Sequence, residues 1–290
     1  MFSGSFVALA TPFRNDRIDE FALSEMVRFH LGNGTDGLVP MGTTGESPTL
    51  DAEEHRLVVS LVVSEVAGRI PVIAGAGSNN TREAIALTQH AQRCGADATL
   101  HVTGYYNRPS QAGHIAHFNA VHEATDSAII LYNIPSRAVV GIDLDTMVEL
   151  ARLERVVGVK DATADLARPA RERLRIGTDF CLLSGEDATA VAYNAAGGNG
   201  CISVTANVAP ALCAQMQGAC ARGDYVGAMS IQQRLLPLHD ALFLEPSPGG
   251  VKYACSLLGL CEEQCRLPMT TPTQTARQAI RAAMTDLKLI

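Results

Sequence analysis

A lysine, Lys160, closes the short apolar run Val156-Val157-Gly158-Val159 and is followed at once by Asp161, Ala162 and Thr163. A lysine whose neighbours read as a buried strand stands at the rim of a core, where desolvation disfavours the ammonium and leaves more free amine. A free amine attacks carbonyl carbons, and the iminium so formed withdraws electrons from the adjacent carbon; the chemistry on offer is Schiff-base catalysis. A strand-end lysine is also an ordinary solvated cap, so this segment alone leaves both readings open. A second lysine, Lys252, falls beyond the expected strands in a helical region and reads as a surface or packing residue.

Placing Lys160 requires a frame, and the hydropathy pattern supplies one. Apolar runs of strand length lie at Phe6 to Ala10, Gly37 to Met41, Pro71 to Ala74, Ala98 to Val102, Ala128 to Tyr132, Val156 to Lys160, Phe180 to Leu183 and Cys201 to Val204. Between them, segments such as Asp19 to His30, Ala52 to Val66, Thr81 to Cys94, Gly113 to Ala124 and Asp143 to Leu153 repeat their apolar residues at helical spacing. Near-continuous apolar strands imply a parallel sheet covered on both faces, and eight such units predict an α/β (β/α)8 TIM barrel, with a doubly wound open sheet as the alternative. The reactive side chains favour the barrel, because they fall at C-terminal strand ends: Thr43, Thr44 and Glu46, Asn79, Tyr105 and Tyr106, Tyr132 and Asn133, Lys160, and Ser184-Gly185. Helical pattern continues after the eighth strand, at about Ala209 to Ala221, Tyr225 to Asp240, Gly250 to Leu258 and Thr273 to Leu287. Gly223-Asp224 breaks it, which divides the chain into a catalytic barrel over 1–223 and a C-terminal helical appendage over 224–290.

Composition narrows the function. The formal net charge of −7 over 290 residues, with no dense basic cluster, lacks the footprint of a nucleic-acid binder. No apolar stretch is long enough to span a bilayer and the first residues lack a basic flank or cleavage site, so a cytoplasmic protein is expected. Eight cysteines are then expected as reduced thiols. Cys261 and Cys265 have no matching Cys/His pair nearby, and His114 and His117, three apart on an expected helix, read as surface histidines rather than as a metal site. Gly75-Ala76-Gly77 continues into Asn80 where a dinucleotide fingerprint needs its third glycine, so no nucleotide cofactor is implied.

Four segments stand in order along the chain: Gly42-Thr43-Thr44-Gly45-Glu46, Tyr105-Tyr106, Tyr132-Asn133-Ile134-Pro135-Ser136-Arg137 and Gly158-Val159-Lys160-Asp161-Ala162-Thr163. Together they resemble the pyruvate-dependent class I aldolase superfamily, which includes N-acetylneuraminate lyase, and the resemblance covers essentially the whole chain. It implies that Lys160 forms a Schiff base with pyruvate and that the derived enamine adds to L-aspartate 4-semialdehyde, the first committed step of the diaminopimelate route to lysine. No metal and no cofactor beyond the covalent Schiff base is implied. Tyr132, Thr44 and Tyr106 would relay protons, with Tyr106 reaching in from a neighbouring subunit of a homotetramer built as a dimer of dimers. Thr43 and Thr44 would hold the pyruvate carboxylate, Gly185 and Ile202 would offer backbone contacts, and Arg137 would take the carboxylate of the semialdehyde.

The Ser136-Arg137 pair separates this branch from the sugar-acid aldolases, while Ala138-Val139-Val140-Gly141 and Gly249-Gly250 depart from the branch's usual pattern and bear on the second substrate. Ser47, His55, Asn79, Glu83 and Tyr105 match a site at which L-lysine inhibits many bacterial members; Pro48 and Ala52 depart from the strongly regulated pattern. Two other readings stay open: a pyruvate-dependent aldolase acting on a sugar-acid or hydroxy-oxo-acid substrate, and a non-catalytic relative that binds pyruvate or an amino acid.

Overall fold

Residues 2–290 are described by a computed structural model. Eight strands form the barrel: β1 (Gly4–Ala8), β2 (Gly37–Val39), β3 (Ile73–Gly75), β4 (Ala98–Val102), β5 (Ile129–Asn133), β6 (Val156–Asp161), β7 (Cys181–Ser184) and β8 (Gly200–Ser203). They pair side by side in the order β2-β1-β8-β7-β6-β5-β4-β3, all in parallel. A parallel bridge between Leu38 and Val72 joins the two ends, which makes the sheet a barrel and rules out the open alternative. At this seam Gly75 N–H donates to Pro40 O at 2.9 Å. A Cβ on Gly75 would stand 2.0 Å from Met41 O, so the strands approach as closely as they do only with glycine here.

Each strand is followed by a helix: α1 (Glu20–Gly32), α2 (Ala52–Val66), α3 (Thr81–Cys94), α4 (Gln111–Ala124), α5 (Leu144–Leu150), α6 (Arg168–Ile176), α7 (Ala190–Ala195) and α8 (Pro210–Ala221). Several starts are written in the sequence as capping residues. Asp51 accepts from Glu53 N–H and Glu54 N–H while Glu54 reaches back to Asp51 N–H, a full capping box. Asp19, Asn80 and Ser110 cap α1, α3 and α4 through their side chains. Three further helices, α9 (Tyr225–Leu242), α10 (Gly249–Leu257) and α11 (Gln274–Asp286), follow. Leu235, Leu238, Val251 and Ile280 from these helices share one core with β1, α1, α2 and α8.

The strands bury opposite faces in different layers. Along β5, Ile129 and Leu131 pack outward with Phe118, Met147 and Leu150, while Ile130 and Tyr132 join the barrel interior with Phe6, Leu100, Leu183 and Ile202. On β6, Val159 lies in the outer layer. Strand alternation therefore turns Lys160 inward, toward the layer that holds Tyr132.

The residues after β1 form a short antiparallel ribbon, Phe13–Arg14 against Arg17–Ile18, turned by Asn15 and Asp16 at φ 51° and 61°. Positive φ at both turn positions is what a right-twisted hairpin requires, and Asn and Asp tolerate it. His114 is buried rather than on the surface, because positions 114, 118 and 121 share the face of α4 that meets the core. His117 is half-buried, bonded to Thr81 Oγ1 at 2.9 Å and packed edge-on against Phe118. Among the described residues no helix is long and apolar enough to cross a membrane.

Candidate active site

The register of β5 and β6 sets Tyr132 directly beside Lys160. The lysine is 6 % exposed, and its Nζ sits 4.2 Å from the centroid of the Tyr132 ring. On the other side β7 delivers Gly185, whose N–H donates to Asp161 O at 2.6 Å. A Cβ on Gly185 would lie 3.0 Å from Lys160 Cε and 2.9 Å from Ala162 Cβ, so the absence of a side chain there gives the lysine its path. Ile202, paired with Phe6, closes the interior beneath.

After β2 the chain makes a tight turn in which Gly45 N–H donates to Gly42 O and Glu46 N–H to Thr43 O, both at 3.1 Å. Thr44 is buried in this turn and Thr43 faces a cavity of about 620 Å³. Tyr132 and Arg137 line the same cavity, as do Ser47, His55, Asn79, Glu83 and Tyr105. Arg137 sits on a single helical turn, Pro135–Ala138, that Pro135 starts just beyond β5. Burial lowers His55 to about 4, so the ring is neutral and its Nε2–H donates to Gly75 O at 2.9 Å. Glu83 accepts from Ser78 Oγ at 2.5 Å.

Tyr106 stands apart. It is 91 % exposed, with φ at 67°, on a loop that Asn79 pins through Tyr105 O and Asn107 pins through Asn79 O. Glu46 is also elsewhere than expected. Its carboxylate turns away from the cavity, 2.6 Å from Lys252 Nζ, with its second oxygen accepting from Arg266 N–H at 2.9 Å. Lys252 is accordingly no surface residue; it is fully buried, with its ammonium over the Phe13 ring at 4.0 Å.

Two supporting carboxylates went unread in the sequence. Asp187 is buried and accepts from Ser203 Oγ, from Val204 N–H at 2.8 Å and from Thr205 N–H at 3.2 Å, which fixes the turn after β8. Its position just past the end of β7 was the available signal. One residue after Lys160, Asp161 Oδ2 lies 3.5 Å from Arg168, whose guanidinium also meets Glu172 Oε1 at 2.8 Å. Burial pushes Asp161 up, and it pushes Glu172 up to about 7 against the pull of Arg168.

Glu172 thus holds its proton more tightly folded than unfolded, where a glutamate titrates near 4.5. The associated stability is full below about pH 4.5 and is lost as pH rises through about 7, on the order of 3 kcal/mol in all. Thermal unfolding followed by circular dichroism from pH 5 to 8 should show this decline in the wild type and a flatter profile for Glu172→Gln. Equal slopes for the two proteins would contradict it.

A parallel barrel with a lysine inside the end of its sixth strand and a tyrosine against it defines a lyase of the class I aldolase type. The chain belongs to the dihydrodipicolinate synthetase family, whose model matches residues 1–287. It is 59 % identical over 290 residues to the 4-hydroxy-tetrahydrodipicolinate synthase of Rhodospirillum centenum, covering 100 % of both chains. The dihydrodipicolinate synthase of Acinetobacter baumannii, chloride-inhibited and solved in complex with pyruvate, superposes with a TM-score of 0.98 at 40 % identity, covering 100 % of each chain. A Cyanidioschyzon merolae enzyme of the same name, solved with lysine bound, gives 0.96 at 37 % identity over 100 % of this chain and 99 % of that one.

Proposed function

We propose that this chain works as a 4-hydroxy-tetrahydrodipicolinate synthase, joining pyruvate to L-aspartate 4-semialdehyde through a Schiff base on Lys160. The observation that carries the reading is the placement of Lys160 inside the barrel with Tyr132 as its strand neighbour. The amine adds to the keto carbon of pyruvate and water leaves, giving an iminium. The methyl group then loses a proton, and the enamine carbon adds to the aldehyde of the second substrate. That substrate's amino group displaces Lys160 and closes a six-membered ring, which returns the free lysine.

Tyr132 and Thr44 carry the protons for these steps, with Tyr106 of a neighbouring copy completing the relay in a dimer-of-dimers tetramer. A tyrosine so exposed contributes to a site only where another surface covers it. Thr43, Thr44 and the backbone around Gly185 and Ile202 hold pyruvate, and the planar fork of Arg137 takes the semialdehyde carboxylate. The enzyme needs no cofactor and acts in the cytoplasm. Purified protein given pyruvate should consume L-aspartate 4-semialdehyde at a specificity at least about 100-fold above that for sugar aldehydes of similar length, since a site built for a charged group rejects analogues lacking it. Comparable consumption of a sugar aldehyde would move the chain to the sugar-acid branch.

L-lysine acts in the same cavity, where Glu83 offers a carboxylate to an ammonium group and Ser47, His55, Asn79 and Tyr105 also line the wall. Saturating L-lysine should lower the initial rate at limiting pyruvate, and Glu83→Ala should weaken the inhibition by about tenfold or more. An unchanged wild-type rate would remove this role.

A further inference from the structure

We infer that Glu46, seated by Lys252, is a positioning residue for the reaction: it locks the Thr43-Thr44 turn through an ion pair with the C-terminal helices. This rests on the assignment of that turn to pyruvate binding and proton relay. The turn carries backbone conformations that side chains rarely adopt, with Met41 at φ 60° and Glu46 at φ 55°. Such conformations persist only where the surroundings over-determine them, and here they do. Thr11 Oγ1 donates to Gly45 O at 2.7 Å, and both Thr49 N–H and Thr49 Oγ1 donate to Glu46 O.

The decisive contact is the buried carboxylate of Glu46, gripped by Lys252 Nζ and Arg266 N–H. Phe13 lies under both cations, 4.0 Å from Lys252 Nζ and 4.5 Å from Arg266 Cζ. The Arg266 guanidinium in turn binds both oxygens of Glu54 and the carbonyl of Thr49 at the end of the same loop. The grip is itself rigid. A Cβ on Gly250, two residues before Lys252, would meet Leu242 O at 2.7 Å, so α10 is wedged against α9.

A buried pair that served only stability could be replaced by neutral groups of similar volume with little loss, whereas removing one partner strands a charge. This difference supplies the test. Glu46→Gln/Lys252→Met is compared with each single change for melting temperature, kcat, and KM for each substrate, alongside borohydride trapping of pyruvate. The double variant is expected to melt within a few degrees of wild type yet to show kcat reduced tenfold or more and KM for pyruvate raised. KM for L-aspartate 4-semialdehyde should stay within twofold, and the trapping rate should fall with kcat.

A folded double variant with wild-type kcat and KM values would overturn the inference. If the double variant does not fold, Glu46→Asp decides: it keeps the charge but shortens the arm, so a folded protein with kcat lowered at least threefold supports positioning and an unchanged kcat refutes it. Absence of a pyruvate adduct in the wild-type protein would instead overturn the reading of the site itself.

Discussion

Lys160→Ala is expected to abolish the borohydride-trapped pyruvate adduct and to lower kcat/KM by about 10⁴-fold or more, because removing a covalent nucleophile removes the whole path that depends on it. The geometry makes the result specific. Lys252 cannot substitute, since its Nζ is fully buried and engaged by Glu46. Alanine leaves the strand pairing of β6 untouched, so the variant should fold and its melting curve should show the cooperative transition of the wild type. Peptide mass spectrometry after treatment with pyruvate and borohydride checks the claim. A reduced pyruvyl adduct on any other lysine, or one that survives the substitution, would assign the chemistry elsewhere.

Tyr132→Phe should separate binding from proton transfer. The ring supports the lysine through its face, 4.2 Å from Nζ, and phenylalanine preserves that face, the interior packing and the melting temperature. Only the hydroxyl is lost. A positioned acid or base contributes about 10²–10⁴-fold, and kcat should fall by an amount in that range while KM for pyruvate changes little. Steady-state kinetics with both substrates measures it, and a kcat within threefold of wild type would take Tyr132 out of the relay.

Much of this arrangement is legible in the sequence, and the reasons are local. The helix limits at Ala52–Val66 and Thr81–Cys94 agree with the hydrophobic period because Asp51 and Asn80 announce the starts. The strand ends could be found because a parallel strand buried on both faces is an unbroken apolar run. Lys160 and Tyr132 stood out as polar groups ending such runs, and the register then brought them together. What escaped were contacts between residues distant along the chain. Glu46 shares a motif with Thr43 and Thr44 and so was grouped with them at the rim, yet its partner lies 206 residues away. His114 was expected outside, although Phe118 and Val121, four and seven positions further on, mark the face of α4 that turns to the core. The ribbon at Phe13–Ile18 is too short to leave a periodic signal.

The span of that ion pair bears on the order in which the protein is made. A ribosome delivers the strand bearing Lys160, the tyrosine beside it and the Thr-Thr turn well before it delivers Lys252 and Arg266. Synthesis proceeds at roughly 5–20 residues per second, so the Thr-Thr turn exists for a while before the groups that hold Glu46. The partners of the Glu46 carboxylate are therefore among the last parts of the protein to be made, on the same C-terminal stretch whose helices complete the core around the first strand.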